Sequence, residues 1–203
     1  MDIEAQLRSI EAEPDLVEKA LRLAFLVSAV FAEAGRETVI VGGSAIEFFT
    51  DGDYMSGDLD VCFTTGPRPA PRLIAEVMSR LGCSDRSARS FKVAGLFVDV
   101  LGEVETLART PFRRITSSDG RQSLLLAKPE DLLAERLLVA VYPTKNDEAL
   151  ACAKKLAAAG LAGLVAVDWE EARRVAARPE YRVEKEFTEL LDAVRAETER
   201  PPP

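Results

Sequence analysis

The chain has 203 residues, 47% of them apolar and 30% charged, with a formal net charge of −8. That is the composition of a globular protein with a proper core, one ordinary domain or one with a small appendage, and its acidic balance argues against general affinity for nucleic acid. There is no histidine, which excludes Ser-His-Asp and Cys-His triads, His-ligated zinc and histidine general bases within this chain.

No apolar run approaches the ~18 residues that a membrane span needs. Met1-Asp2-Ile3-Glu4 lacks the basic start of a signal peptide, so a cytoplasmic location is expected. The three cysteines, Cys62, Cys83 and Cys152, are widely spaced with no C-x-x-C. They read as buried free thiols rather than as a zinc ribbon or redox pair.

In chain order, the first expected helix runs from about Pro14 to Ala34. Leu16, Ala20, Leu23, Leu26, Val27 and Val30 recur there at helical spacing, and Gly35 is a natural stop. Val39, Ile40 and Val41 read as a buried strand. Gly42-Gly43-Ser44 follows as a turn, then Ala45 to Phe49 as one or two helical turns. Glycines let the backbone approach a ligand, and a helix start offers unpaired N–H groups to an anion. Ser44 is expected to cap this helix or to bond a phosphate oxygen.

A polar loop from Thr50 to Gly57 leads into a second strand, Asp58-Leu59-Asp60-Val61-Cys62-Phe63. Strand alternation puts Asp58, Asp60 and Cys62 on one face and Leu59, Val61 and Phe63 on the other. The two carboxylates would stand roughly 6.5 Å apart along the strand. Like charges on one face repel, and a cation between them turns that cost into a gain. Mg²⁺ is such a cation, bound by one or two carboxylates together with substrate phosphates.

Gly66-Pro67-Arg68-Pro69-Ala70-Pro71 is a rigid loop before a helix from Leu73 to Leu81. Ser90 to Ala94 and Leu96 to Leu101, joined at Gly95, read as a tight hairpin whose second strand carries Asp99. Phe97 and Leu101 share the face of that acid, and burial among them would raise its pKa unless a cation offsets it. Pairing with a nearby arginine is the plainer alternative. Arg121 to Ala127 reads as a last strand. Helices then run from Glu130 to Val141, Asp147 to Ala159, Asp168 to Ala177 and Glu180 to Glu199, and the tail Pro201-Pro202-Pro203 is expected to fray. The result is an α/β (α+β) chain, with a layered part over residues 1–127 and a C-terminal helical region over 128–203.

Charge is uneven. Thr64 to Lys128 holds eleven Lys/Arg against six Asp/Glu. Arg68, Arg72, Arg86, Arg89, Lys92, Arg109, Arg113 and Arg114 are candidates for triphosphate or acceptor contacts, or simply solvated surface charge.

Gly42-Gly43-Ser44, thirteen residues, then Asp58-Leu59-Asp60 resembles the signature of the DNA polymerase beta-like nucleotidyltransferase superfamily. The resemblance covers roughly the first half of the chain. It implies a mixed β-sheet flanked by helices and a third carboxylate on a later strand, which Asp99 matches. The segment Lys128 to Ala140, KPEDLLAERLLVA, is similar to the helix after the catalytic sheet in abortive-infection type IV toxin nucleotidyltransferases. Those families place a lysine where Arg136 stands and follow it with a basic, Asp-containing helix. Lys145-Asn146-Asp147 matches this in part, while position 150, where a second acid is expected, is Leu150. Without the resemblance, Glu135 and Arg136 read as an exposed helix pair.

These features lead to a Mg²⁺-dependent transfer of NMP from an NTP, ATP or GTP included, to an acceptor hydroxyl. Gly42, Gly43 and Ser44 are the nucleotide-binding candidates. Asp58, Asp60 and Asp99 are the catalytic and metal-ligating candidates, around two Mg²⁺ ions or Mn²⁺ in their place. The acceptor stays open between RNA such as a tRNA end, a small molecule and a protein side chain. The toxin likeness adds a cognate antitoxin as a partner, and no membrane is involved. The alternatives are a non-catalytic nucleotide-sensing or partner-binding module on the same fold and, more distantly, a dinucleotide-binding domain, for which no G-x-G-x-x-G is present.

Overall fold

The computed structural model describes residues 2–52, 56–83, 85–87, 89–104, 106–117 and 119–198, with the side chains of Arg86 and Thr198 outside that set. Two helices lead: α1 (Ile3–Glu11) and α2 (Leu16–Glu33). Each is capped by an aspartate whose carboxylate accepts a backbone N–H of the first turn, Asp2 from Ala5 at 3.0 Å and Asp15 from Glu18 at 2.9 Å. Then come β1 (Thr38–Ile40), α3 (Gly42–Phe49), β2 (Asp58–Phe63), α4 (Pro71–Arg80), β3 (Asp85–Arg86), β4 (Ser90–Val93), β5 (Leu96–Glu103), β6 (Arg113–Thr116) and β7 (Ser123–Leu126). The chain continues as α5 (Pro129–Val141), α6 (Asp147–Leu161), α7 (Trp169–Ala176) and α8 (Glu184–Thr198).

Among the described residues the strands form one seven-stranded sheet in the order β3-β4-β5-β2-β1-β7-β6. It is mixed: β1 pairs with β7 and β2 with β5 in parallel, and the other neighbours are antiparallel. A mixed sheet flanked by helices and followed by a helical region is the architecture expected from the sequence. One sheet face carries Ile40, Leu59, Val61, Phe63, Val98 and Val100, buried in a single core with Leu23, Leu26 and Phe31 of α2 and Ile74, Val77 and Met78 of α4. The opposite face holds a small second cluster, Val39, Cys62 and Leu125. Two-residue alternation along β2 thus sends its apolar set into the core and leaves its acids on the lightly covered side. Among the described residues, no helix is long and apolar enough to cross a membrane.

Several elements differ from the sequence reading. Helix α1 was not expected; its apolar positions Ile3, Leu7 and Ile10 are a short signal, realised by packing on the core. Strands β3 and β6 are edges without apolar alternation, defined by pairing to β4 and β7. Helix α8 starts at Glu184 rather than Glu180, because Arg182 takes φ +56° and turns the chain first. Asp168 caps α7 instead of opening it. The expected loop to Gly57 falls partly on residues 53–55, and the expected frayed tail on 201–203, both outside the described residues.

The start of α5 is anchored by buried charge. Lys128 is 2% exposed, and its Nζ donates to Thr106 Oγ1 at 3.2 Å and to the Ala108 carbonyl at 2.9 Å, 4.0 Å from Asp131. Asp131 accepts the N–H groups of Leu107 at 3.1 Å and Ala108 at 3.0 Å, and the Thr106 hydroxyl. This network pins residues 106–108 to the helical region. Lys128→Met should cost about 3 kcal/mol, the low end for breaking a buried pair, because Asp131 keeps its other donors. Asp131→Ala should cost more, since it strands a buried ammonium and three donors. Urea denaturation of both variants checks the order; an equal or reversed cost would show that the lysine, not the carboxylate, organises the network.

Candidate active site

Asp58 and Asp60 lie on β2 and Asp99 on the parallel neighbour β5, with Asp60 and Asp99 directly opposite each other in register. Cross-strand partners share a face, so all three acids project from the same side. Each can offer a carboxylate oxygen such that the three oxygens lie within 4.8 Å of one another. Ligands 2.0–2.1 Å from one Mg²⁺ are at most about 4.2 Å apart. A separation slightly above that fits oxygens that close on one ion by small rotations or bridge two.

Asp60 is the strained member. Burial, then the nearby Asp58 and Asp99 carboxylates, push its pKa from 3.8 to about 6, with Arg136 opposing. The cluster is therefore short of positive charge, which is what a cation supplies. The donor set, all carboxylate oxygen, suits a hard ion such as Mg²⁺ or Mn²⁺. The expectation for Asp99 included burial between Phe97 and Leu101, but Phe97 is among the exposed large apolar side chains. The third acid sits on an open sheet face. Cys62, next along the face from Asp60, is a buried free thiol whose pKa is pushed up to about 11, first by burial and then by Asp60.

This charge deficit has a measurable sign. A folded-state pKa raised above the unfolded value stabilises the fold at low pH, and that stability is lost as pH rises through about 6. Ionising Asp60 in the metal-free fold should cost roughly 2–3 kcal/mol, at about 1.4 kcal/mol for each tenfold weakening of the acid. In EDTA, Asp60→Asn should be more stable than wild type at about pH 7 and indistinguishable from it below about pH 4. Chemical denaturation across that range decides it; a pH-independent difference would mean that Asp60 does not carry the strain.

The glycine turn lies against these acids. Helix α3 begins at Gly42, so the Gly-Gly-Ser triplet is the helix's first turn and not a turn before it. Gly42 has φ +60°, and a Cβ there would lie 2.6 Å from Asp60 Oδ2. Only glycine permits this approach of turn to carboxylate. Ser44 does not cap the helix through its side chain. It is 2% exposed, and its hydroxyl donates to the Val41 carbonyl at 3.0 Å and accepts the Asp60 N–H at 3.1 Å. The hydroxyl ties the helix start to β2, and the backbone N–H groups of the first turn have no partner within the helix.

A cleft of about 260 Å³ is lined by Gly43, Ser56, Asp58, Asp60, Arg136, Val139, Asn146, Glu148 and Ala149. A larger one, about 570 Å³, lies between α1, α2 and the β6–β7 hairpin and contains none of the three acids. The smaller cleft is the candidate site, because it brings carboxylates, a helix start and a guanidinium together. Arg136 is not a surface side chain: it is 19% exposed, and it bonds Glu135 at 2.8 Å. Asn146 both caps α6, accepting the Ala149 N–H at 3.0 Å, and lines the cleft.

The sequence reading did not single out Glu47, Ser56 or Glu148. Ser56 could have been found, since it precedes Asp58 by two and so continues the face of the acids. Of the basic candidates, none lines the cleft among the described residues. Arg109 pairs with the buried Glu171 at 2.9 Å, Arg113 donates to the Ala166 carbonyl at 2.6 Å, and Arg114 bonds Ser123 at 3.0 Å. Lys92 lies 5.9 Å from the centre of the Phe97 ring. Arg68 donates to the carbonyl of Val100, beside Asp99, at 3.0 Å. The side chain of Arg86 lies outside the described residues.

No family model matches the chain, and no curated protein does. Among solved structures, the chain is similar to the solution structure of the antibiotic-resistance factor ANT(2'')-Ia, with 14% identity, 84% of this chain and 94% of that one covered, and a TM-score of 0.45. It is also similar to the crystal structure of ANT(2'')-Ia in complex with adenylyl-2''-tobramycin, with 13% identity, coverage of 89% and 99%, and a TM-score of 0.44. At these values the site has to be read from its own atoms.

Proposed function

We propose that this protein is a divalent-metal-dependent nucleotidyltransferase. The observation that carries the reading is the three-carboxylate cluster, its oxygens within 4.8 Å on adjoining strands, set against a glycine-started helix. Asp58 and Asp60 would hold ions near the α-phosphate of an NTP, and Asp99 the one facing the acceptor. Such ions would supply Lewis acidity at the α-phosphate and lower the pKa of the acceptor hydroxyl. The first-turn N–H groups at Gly42 and Gly43 face the β and γ phosphates. An acceptor hydroxyl attacks the α-phosphorus, the bond to the bridging oxygen breaks, and pyrophosphate leaves. The cleft is smaller than the ~300–1,000 Å³ of ordinary ligand pockets, so it takes the phosphate end, and the base lies outside it.

Residues 1–127 make up the catalytic unit in this reading, and 128–203 a helical region that walls the cleft through Arg136 and Glu148. ATP or GTP is the donor. Placement of Arg136 in the cleft and of Asn146 at its rim supports the finer toxin-like reading, with tRNA or protein as acceptor and an antitoxin as partner. Incubation with each labelled NTP, Mg²⁺ and separate RNA, protein and small-molecule fractions tests it; label in no fraction would overturn it. One feature favours a nucleotide-sensing module instead. Position 150 carries Leu150, which packs against the core, so α6 offers no acid there.

A further inference from the structure

Glu47 is a carboxylate that this transfer scheme does not use. It stands on α3 one helical turn after Gly43, between Ile46 and Phe48, and is 4% exposed. Burying an acid is costly unless it is well hydrogen-bonded. Its Oε2 accepts the backbone N–H of Ser56 at 2.8 Å, and the Ser56 hydroxyl donates to Asp58 Oδ1 at 2.8 Å. Burial raises the pKa of Glu47, and the Ser56 hydrogen bond opposes that rise. A continuous tie therefore runs from α3, across the loop before β2, to the first acid of the cluster. Ser44 makes the matching tie from α3 to the backbone of Asp60.

We infer that Glu47 is a positioning residue for the metal site: it clamps the Ser56 backbone so that the Ser56 hydroxyl fixes the rotation of the Asp58 carboxylate. The inference rests on Asp58 being a metal ligand. Helix α3 then holds both acids of the Asp-x-Asp pair, through Ser44 in its first turn for Asp60 and through Glu47 one turn later for Asp58. The tie needs an acceptor at position 47 rather than a charge. Glutamine can serve, and aspartate, one methylene shorter, cannot reach.

The probe is Mn²⁺ alone, titrated calorimetrically into the full nucleotide-free chain, with melting temperature read in parallel. Hydrogen-bonding partners of metal ligands are typically worth 10–100-fold in affinity. Glu47→Asp and Ser56→Ala should each weaken Mn²⁺ binding by about that factor, while Glu47→Gln stays within about threefold of wild type. Glu47→Asp combined with Ser56→Ala should bind no more weakly than Ser56→Ala, because both act through one hydrogen bond. Losses that multiply in the double variant would overturn the relay. So would a Glu47→Asp protein with lowered melting temperature and wild-type Mn²⁺ affinity, which would make Glu47 a residue of the fold alone. Wild-type protein that binds no Mn²⁺ would sink the metal reading itself, and this inference with it.

Discussion

Replacing Asp58 and Asp60 together by asparagine should abolish the rise in melting temperature that Mg²⁺ or Mn²⁺ gives the wild type. An ion that binds only the folded state stabilises it by about 2.7 kcal/mol at a hundred times its dissociation constant. For a chain of this size that is a rise of roughly 5–10 °C. The double variant removes two of the three carboxylates that lie within 4.8 Å of one another. It also removes the half-buried charge of Asp60, whose pKa burial first and then the Asp58 and Asp99 carboxylates push to about 6. The metal-free variant should therefore melt above the metal-free wild type, and the order should invert once metal saturates the wild type. Differential scanning calorimetry with EDTA and with excess Mg²⁺ reads both effects. An unchanged metal response would place the ion elsewhere and remove the basis for transfer chemistry at this cleft.

The parts of this site that were legible in the sequence are those written by strand alternation. The strand from Asp58 to Phe63 has the boundaries expected of it, and the hairpin around Gly95 delivers Asp99 to the register position opposite Asp60. Period-two patterning fixes the face and the tight hairpin fixes the pairing of β4 with β5, while the parallel pairing of β5 with β2 is set by tertiary packing. The parts that were not legible depend on side chains bonding backbone at a distance. Ser44 is read as a helix cap or a phosphate ligand from its place after two glycines. Yet its hydroxyl bonds the N–H of a residue sixteen positions on, and no local pattern encodes that. Glu47 lies in an apolar helix, and its partner Ser56 lies beyond a loop.

The sequence leaves the roles of the arginines open for a related reason. Clustering in the sequence between 64 and 128 says nothing about direction, and Arg109, Arg113 and Arg114 are used to fasten the sheet edge to the helical region and to neighbouring strands. Arg136, read either as standing at the family's lysine position or as half of an exposed pair, lines the cleft with Asp58 and Asp60. It does so because α5 packs against α3 and α6, a contact that helix periodicity alone cannot announce.

Asp99→Ala should separate nucleotide binding from chemistry. Asp99 lies on β5, across the sheet from the first turn of α3, and removing it leaves Gly42, Gly43 and the Ser44 ties in place. NTP affinity, measured by calorimetry with Mg²⁺, should persist within an order of magnitude, because in the proposed scheme Asp58 and Asp60 would still hold an ion near the phosphates. Transfer should fall by at least ~100-fold, the scale of a positioned acid–base or metal contribution. Gly43→Val is the converse variant: it puts a branched side chain into the cleft that Gly43 lines, and should weaken NTP binding first. Pyrophosphate release with cell extract as acceptor source supplies the second reading. If the wild type binds NTP yet releases no pyrophosphate with RNA, protein or small-molecule fractions, the sensing module replaces the enzyme. If Asp99→Ala loses binding and transfer in equal measure, Asp99 holds the nucleotide's own metal rather than the acceptor's. The acceptor would then have to be activated from the other side of the cleft, where Glu148 stands.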